Sequence, residues 1–256
     1  MKNGYFCVIG KTKTTLNKTN DISVKDVLAT LKELGNPETI EFKHRKFGIA
    51  PSNSYGVFQK DINLVAKEIG KNDALAIALF DTGNYDAQLL CSKIFTPKNI
   101  TPELMEAWLP TFKTWEACDS FSMKVFARSP YAVPKALEWT HREAEFEKRA
   151  GFATIAAYCM ADKKANNEVF EPFLEAILRE SWDNRLYVRK AVSWALRSIG
   201  KRNLDLKYRA IDTAHAILQI QTKSAQWIAK DALKELTNDE VRRSDYPRSI
   251  YRPRKK

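Results

Sequence analysis

The segment DNRLYVRKAVSWALRSIG, residues 183–200, decides the fold class of this chain. Its small and branched apolar residues recur at spacings typical of one face of an α-helix. That face consists of Val188, Ala191, Val192, Ala195 and Ile199. A helix with one apolar stripe buries that stripe against neighbouring elements, so the segment predicts a core helix of an all-α protein.

A second stripe on the same helix places an aromatic ring among cations. Trp194 lies outside the apolar stripe. It shares a face with Lys190, Arg197 and Lys201, at successive offsets of four, three and four residues. Cations on phosphates and an indole against sugar or base are typical of a nucleic-acid surface. The alternative is a tryptophan that covers a neighbouring helix beneath the lysine stems.

Helical patterns of about 10 to 18 residues continue outward from this segment, and glycine is scarce at 9 residues. Helices are predicted at 24–35, 38–46, 58–70, 73–80, 84–95, 101–112, 114–127, 131–141, 144–161, 167–181, 185–199, 204–219 and 223–236. Ser23 and Ser224 are predicted N-caps. Helix pairs that recur every 35 to 45 residues or so indicate a HEAT-like or armadillo-like α-solenoid of about six antiparallel pairs. Its concave face is expected to bind the ligand, and a compact bundle without repeats is the alternative.

Charge is distributed unevenly along the chain. We predict a flexible N-terminal segment over 1–22, a single repeat domain over 23–241 and a basic tail over 242–256. The whole chain has 42 Lys and Arg against 31 Asp and Glu, a net charge of +11. Such an excess favours a polyanionic partner. The tail either touches phosphate or only keeps the protein soluble.

Composition argues against membrane, metal and cofactor functions. No apolar run approaches the roughly 18 residues of a membrane span, and we expect no signal peptide. Of four scattered cysteines, Cys91, Cys118 and Cys159 lie within apolar helical patterns, as reduced thiols of a cytoplasmic protein do. With three isolated histidines and no Cys/His spacing typical of zinc, we predict no metal and no cofactor.

Two further segments place polar groups beside apolar stripes. Trp115 and Asp119 are one helical turn apart, so an aromatic face and a carboxylate point the same way. Such a carboxylate can meet a cationic ligand or stabilise a developing positive charge, although an exposed or paired acid is the commoner case. Arg149 lies three residues from both Phe146 and Phe152, at the edge of an apolar stripe. An arginine so placed needs a partner, either a carboxylate such as Asp119 or a phosphate.

Six motifs follow one another at the spacing of the helix pairs. They are SYGV (54–57), ALAIALFDTG (74–83), WEACD (115–119), Trp139, FEKR (146–149) and VRKAVSWALRSIGKRN (188–203). In this order the chain resembles the DNA alkylation repair family of the AlkD type, from about Phe47 to Leu236. The resemblance implies a HEAT-like solenoid whose basic concave groove holds duplex DNA. It also implies hydrolysis of the N-glycosidic bond of cationic N3- or N7-alkylated purines, without flipping the lesion into a pocket.

The resemblance also implies roles for single residues. Asp119 would be the catalytic carboxylate, with Trp115 and Trp194 as aromatic walls and Arg149 as the anchor of the site. The leaving purine is already cationic, so no general acid is needed, and a carboxylate can stabilise the oxocarbenium-like sugar and position water. The predicted DNA contacts are Lys190, Arg197, Lys201, Arg202 and Arg189, together with an N-terminal aromatic, Phe47 or Tyr55.

We therefore expect a monomeric, cytoplasmic DNA glycosylase that associates with the nucleoid and needs only alkylated duplex DNA and water. Two alternatives remain open. One is a relative that binds damaged or branched DNA without catalysis, and the other is a HEAT-like scaffold for a protein partner.

Overall fold

The structure, a computed structural model, describes residues 22–238, and the described chain is all-α. Its thirteen α-helices are α1 (Val24–Glu33), α2 (Pro37–Phe47), α3 (Gln59–Ile69), α4 (Asp73–Asp81), α5 (Tyr85–Ile94), α6 (Pro102–Trp108), α7 (Trp115–Lys124), α8 (Ala132–Thr140), α9 (Glu145–Ala161), α10 (Glu171–Glu180), α11 (Leu186–Gly200), α12 (Leu204–Leu218) and α13 (Lys223–Leu236). Each predicted helix is therefore confirmed. The predicted basic tail, and the predicted N-terminal segment apart from Ile22, lie outside the described residues.

Side-chain caps begin many of the helices. Ser23 caps α1 through a capping box, in which Ser23 and Asp26 each accept a bond from the other's backbone N–H. The predicted cap at Ser224 is wrong, because that residue is buried within the first turn of α13. Thr222 caps α13 instead, and its hydroxyl accepts from the backbone N–H of Ala225 at 3.1 Å.

Three predicted helices are shorter than their apolar patterns. The helix predicted over 101–112 ends at Trp108 and continues as a 3₁₀ turn, Leu109–Thr111. Pro110 explains the change, since it has no N–H for an α-helical bond. Similarly, α7 ends at Lys124 before a 3₁₀ turn, and α10 begins only after a 3₁₀ turn over Asn167–Phe170.

The helices form two layers. In the first layer, α3, α5, α7, α9, α11 and α13 contact one another in that order. In the second layer, α10 contacts both α8 and α12. Helices adjacent in sequence, such as α4 with α5, α8 with α9 and α12 with α13, pack as pairs between the layers. Helix pairs that each contact the next pair make an α-solenoid, as predicted.

The longest helix, α9, joins the two hydrophobic clusters of the core. Ala150 belongs to the N-terminal cluster and Phe152 to the C-terminal one. Between them, Gly151 lets α9 approach α8 closely, since an added Cβ would lie 2.8 Å from the Thr140 backbone nitrogen and 2.9 Å from the Ala136 carbonyl oxygen. This contact fixes the depth at which α9 presents its neighbouring side chain, Arg149.

No helix within residues 22–238 is both long enough and apolar enough to span a bilayer.

Candidate functional site

An open cleft on the first layer contains three of the four residues predicted to be catalytic and two of the predicted DNA contacts. Its volume is about 350 Å³, and it lies between the end of α2 and the helices α7, α9 and α11. The lining residues are Lys46, Phe47, Trp115, Asp119, Arg149, Leu186, Tyr187 and Lys190. The cleft thus brings together the predicted residues Phe47, Trp115, Asp119, Arg149 and Lys190, which are up to 143 positions apart between Phe47 and Lys190.

A two-pronged ion pair forms the polar centre of the cleft. Arg149 donates from Nε to Asp119 Oδ1 at 2.9 Å and from Nη2 to Asp119 Oδ2 at 2.7 Å. Its Nη1 donates to the carbonyl oxygen of Tyr187 at 2.7 Å. Within the described chain the partner of Arg149 is therefore a carboxylate, and one guanidinium ties α7, α9 and α11 together. Such fork-shaped pairing fixes orientation as well as distance.

Burial sets the electrostatics of this pair. The side chain of Arg149 is 7% exposed and that of Asp119 is 18% exposed. Burial raises the pKa of Asp119, and the attraction of Arg149 opposes that rise without cancelling it. Burial would lower the pKa of Arg149, but the charge and hydrogen bonds of Asp119 outweigh it and leave that pKa raised. Asp119 is thus a weaker acid than an exposed aspartate, beside a guanidinium that stays charged.

The aromatic wall next to Asp119 is fixed by the ends of two helices. α2 ends at Gly48, whose φ of 68° is in the left-handed region that favours glycine. Trp115, the first residue of α7, donates its indole N–H to the Phe47 carbonyl at 3.0 Å, so it satisfies one of the free carbonyls of α2. The rings of Phe47 and Trp115 meet edge to face, with centroids 6.2 Å apart.

A further aromatic residue of the cleft lining is Tyr187, which is not among the residues predicted from the sequence. Its ring packs on Phe146 with centroids 5.4 Å apart. Its hydroxyl lies beside Gly48, where an added Cβ would approach it to 3.1 Å. A signal for Tyr187 was present, because it precedes Lys190 by three residues and so extends the Trp194 face by one turn. The indole of Trp115 and the phenol of Tyr187 thus line the same cleft as the Asp119 carboxylate.

Two cations stand at the cleft. Lys46 on α2 and Lys190 on α11 are both exposed. Within residues 22–238, neither has a carboxylate at ion-pair distance. Lys46 lies over the rings of Phe42 and Phe47, at 5.2 and 5.5 Å from their centroids. The cleft therefore has positive charge on two of its walls that is available to an anion.

Lys190, Trp194, Arg197 and Lys201 form the stripe predicted around the tryptophan, which we call the Trp194 stripe. Only Lys190 of these four residues lines the cleft. Trp194 is half-buried against the C-terminal hydrophobic cluster and is not among the residues that line the cleft. Arg197 pairs with Glu235 at 2.5 Å and with Asp231 at 3.1 Å, and Lys201 pairs with Glu235 at 2.7 Å. This part of the stripe matches the alternative of a tryptophan packed on its neighbours, with its two flanking cations neutralised by α13.

Three other predicted DNA contacts have structural partners. Arg202 is 7% exposed and donates to the backbone carbonyls at 159, 162 and 165, so its guanidinium is engaged within the fold and its role as a DNA contact stays a prediction. Arg189 lies over the ring of Trp227, 5.2 Å from its centroid, away from the cleft lining. Tyr55 is half-buried against the N-terminal cluster, and its backbone N–H donates to the buried Asp86 carboxylate at 2.6 Å.

Asp86 also explains the SYGV motif. Its carboxylate accepts bonds from the Ser54 hydroxyl and from the backbone N–H groups of Gly56 and Val57, besides that of Tyr55. This buried acid thus holds the loop between α2 and α3, and the motif has a structural role. Within residues 22–238, no group of three or more His, Cys, Asp and Glu is placed to hold a metal ion.

Comparison with known proteins gives a family match over most of the chain. The model of the DNA alkylation repair enzyme family matches residues 27–236. Uncharacterized protein Lin0241 of Listeria innocua is 25% identical over 197 residues, which cover 73% of this chain and 83% of that protein.

One solved structure has the same architecture. Described as a new family of proteins related to the HEAT-like repeat DNA glycosylases with affinity for branched DNA structures, it superimposes with a TM-score of 0.68. The alignment is 21% identical and covers 89% of this chain and all of that one, so the likeness concerns the fold. A designed armadillo repeat protein matches with a TM-score of only 0.39 at 15% identity, over 82% of this chain and 98% of its own.

Proposed function

This chain belongs to the DNA alkylation repair enzyme family, and we propose that it is a DNA glycosylase for alkylated purines. In this proposal it hydrolyses the N-glycosidic bond of cationic N3- or N7-alkylated purines in duplex DNA without base flipping. The observation that carries the proposal is the Asp119 carboxylate, which is held by Arg149 in the lining of an open cleft that also contains Trp115 and Tyr187.

The leaving group determines what the site has to supply. Alkylation at N3 or N7 makes the purine cationic, so it departs without being protonated. The positive charge then develops on the sugar, and the site must stabilise that charge. Asp119 supplies a negative charge, while the ring faces of Trp115 and Tyr187 supply electron-rich surface. Arg149 holds the carboxylate in one orientation before the reaction starts, so little reorganisation is needed.

Asp119 also keeps the capacity to orient the attacking water. Each of its oxygens accepts one bond from Arg149, and a carboxylate oxygen has two lone-pair directions. Its side chain is 18% exposed, so solvent reaches it. In the proposal, a water held by a remaining lone pair attacks the sugar as the purine leaves. The bond that breaks is C1′–N, and its electron pair leaves with the purine, which becomes neutral. The bond that forms joins C1′ to the water oxygen, and the proton that this water loses passes to solvent.

The shape and charge of the cleft suit a base that stays in the helix. The cleft is open to solvent, with its aromatic rings in its walls. Lys46 and Lys190 stand on two walls of the cleft, where they can neutralise backbone phosphates near the lesion. The sugar and the phosphates, rather than the base edge, are therefore the groups that this site contacts.

Release of free base tests the proposal. Duplex DNA that carries 7-methylguanine or 3-methyladenine is incubated with excess protein, and the released base is measured by chromatography. Asp119→Asn should slow release by about 100-fold or more while DNA binding persists, as loss of one electrostatic stabiliser does elsewhere. Glu235→Gln is the matched control, because Glu235 also pairs with cations but lies outside the cleft lining. It should change the rate by less than about twofold.

A second candidate is a protein that binds DNA without excision. It is favoured by one observation: both oxygens of Asp119 already bond to Arg149, so the guanidinium offsets part of the negative charge. The structural neighbour described above is itself described as having affinity for branched DNA. No base release by the wild-type protein, with tight binding of duplex or branched DNA, would establish this candidate over the first. If neither DNA form binds at low salt, both candidates are wrong.

A further inference from the structure

The last helix carries an exposed basic face with an aromatic ring at its centre. Lys223, Trp227, Lys230 and Lys234 follow at offsets of four, three and four residues, so they share one face of α13. All four are exposed, Trp227 by 37%. No carboxylate within residues 22–238 pairs with any of the three lysines. We call these four residues the α13 stripe.

The α13 stripe has the spacing of the Trp194 stripe but a different environment. In the Trp194 stripe, Arg197 and Lys201 are neutralised by Asp231 and Glu235 of α13. These two acids lie on the side of α13 that faces α11, so they do not pair with the lysines of the α13 stripe. The positive charge is therefore concentrated on the outward face of α13.

Arg189 orients the indole of the α13 stripe. Its guanidinium lies 5.2 Å from the ring centroid of Trp227, a cation–π contact between α11 and α13. The contact holds the large ring in place and adds a further positive charge beside it. With 37% of its surface in solvent, the indole keeps area for a second planar group.

The α13 stripe lies next to the candidate cleft. Ser193 donates to Asp231 and Arg197 donates to Glu235, so residue numbers rise together along the two helices and α11 and α13 run parallel. The backbone N–H of Ser224 donates to the Asn184 side chain at 3.1 Å, which places the first turn of α13 beside the start of α11.

The outward faces of the two helices belong to the same layer. Lys190 at the cleft is on the exposed face of α11, and the α13 stripe is on the exposed face of the parallel neighbour. Neighbouring helix axes are separated by about 8–10 Å. A chain of phosphates that leaves the cleft can therefore reach the α13 stripe in one helix-to-helix step.

We propose that the α13 stripe binds a single-stranded DNA segment that extends from the duplex at the cleft, with an unpaired base stacked on Trp227. This inference rests on the proposed function only in placing DNA in the cleft. Within a duplex the base faces are covered by neighbouring bases, so an exposed indole stacks well only on an unpaired base. Lysines along the backbone and an aromatic platform are the combination that binds single strands without sequence preference.

The test compares two DNA substrates by fluorescence anisotropy at several salt concentrations. One is a blunt duplex, and the other is the same duplex with a single-stranded thymidine tail. The wild-type protein should bind the tailed duplex more tightly. Trp227→Ala should remove about tenfold of affinity for the tailed substrate, which corresponds to about 1.4 kcal/mol. It should leave affinity for the blunt duplex nearly unchanged.

A lysine variant keeps the test valid if loss of the Arg189 contact destabilises Trp227→Ala. The triple substitution of Lys223, Lys230 and Lys234 to Ala breaks no side-chain hydrogen bond or ion pair within residues 22–238, so it should fold normally. It should lower the salt dependence of binding to the tailed substrate by about two in log–log slope. The matched charge control is the triple substitution of the exposed Lys67, Lys163 and Lys164 to Ala.

An aromatic control removes a more exposed ring from the other layer. Tyr208 on α12 is 59% exposed, and Tyr208→Ala should bind both substrates as the wild type does. If the wild type binds tailed and blunt duplexes equally, or if the α13 variants bind the tail as the wild type does, the inference is overturned. Base release is measured on the same variants. If the wild type releases no base but binds the tail through the α13 stripe, the glycosylase proposal is wrong and this inference still holds.

Discussion

The Asp119–Arg149 pair gives the sharpest test of the site's construction. Replacing Arg149 with Met keeps much of the side-chain volume but removes three donors that serve Asp119 and the Tyr187 carbonyl. The Asp119 carboxylate then remains in its buried position without a counter-charge. Breaking a buried pair by removing one partner typically costs about 3–5 kcal/mol.

The structure narrows this range. Asp119 is 18% exposed and can recruit some water, so the lower end of the range is appropriate. We expect Arg149→Met to lower the free energy of unfolding by about 3 kcal/mol. For a domain of this size, that corresponds to a fall in Tm of about 6–12 °C. Arg209→Met is the control, because Arg209 is 41% exposed and pairs with surface acids, and it should cost less than about 1 kcal/mol.

Urea denaturation followed by circular dichroism measures these free energies of unfolding. The same measurement at several pH values tests the direction in which stability changes with pH. Burial raises the folded-state pKa of Asp119. The folded protein then binds a proton more readily than the unfolded chain, so stability falls as pH rises through that raised pKa. Without Arg149 the rise is unopposed, so the variant's deficit should shrink on acidification. A cost below about 1 kcal/mol at neutral pH, or a deficit that grows in acid, would refute this account of the pair.

Three further predictions concern packing, the aromatic wall and the cations. Gly151→Ala forces a Cβ to within 2.8 Å of the α8 backbone, so the free energy of unfolding should fall by about 1–3 kcal/mol in urea titrations; no change would mean that the helices separate freely. Tyr187→Phe keeps the ring and should retain base release, whereas Tyr187→Leu should slow single-turnover release by about tenfold. Equal rates for Tyr187→Leu and the wild type would exclude the ring from the site. Lys190→Ala should reduce the slope of log affinity against log salt for duplex binding by about 0.9. Lys201→Ala should leave the slope unchanged, because the Lys201 ammonium already pairs with Glu235. The opposite ranking would place the interface away from the cleft.

Local patterns predicted the helices because each signal acts within a few residues. The apolar period marks the buried face, and residues such as Pro110 and Gly48 end helices through their own backbone restrictions. The same periodicity placed Trp115 and Asp119 on one face, and the structure puts both in the cleft. Fold class and part of the candidate site were therefore predictable from the sequence.

The contacts that the sequence did not indicate share one physical cause. Helical phase shows which side chains share a face, but not which other helix covers that face. Arg197 and Lys201 look free in the sequence, yet the acids that neutralise them are 34 or more positions further along the chain. Arg202 likewise has its partners about 40 positions earlier. Tyr187 has a spacing signal relative to Lys190, but its place at the cleft depends on Phe146 and Gly48, which contact it only in the folded chain.

The three-way attachment of Arg149 affects how this molecule deforms. In a solenoid each repeat contacts only its neighbours, so bending of the molecule is distributed over the interfaces between repeats. The Arg149 guanidinium on α9 donates hydrogen bonds to both α7 and α11, which stiffens the helix interfaces beside the cleft. Bending on a ligand is then concentrated towards the two ends, and backbone amides of these three helices should exchange hydrogen more slowly than those of α1 or α13. The geometry of the site therefore stays constant when ligands of different curvature lie along the solenoid.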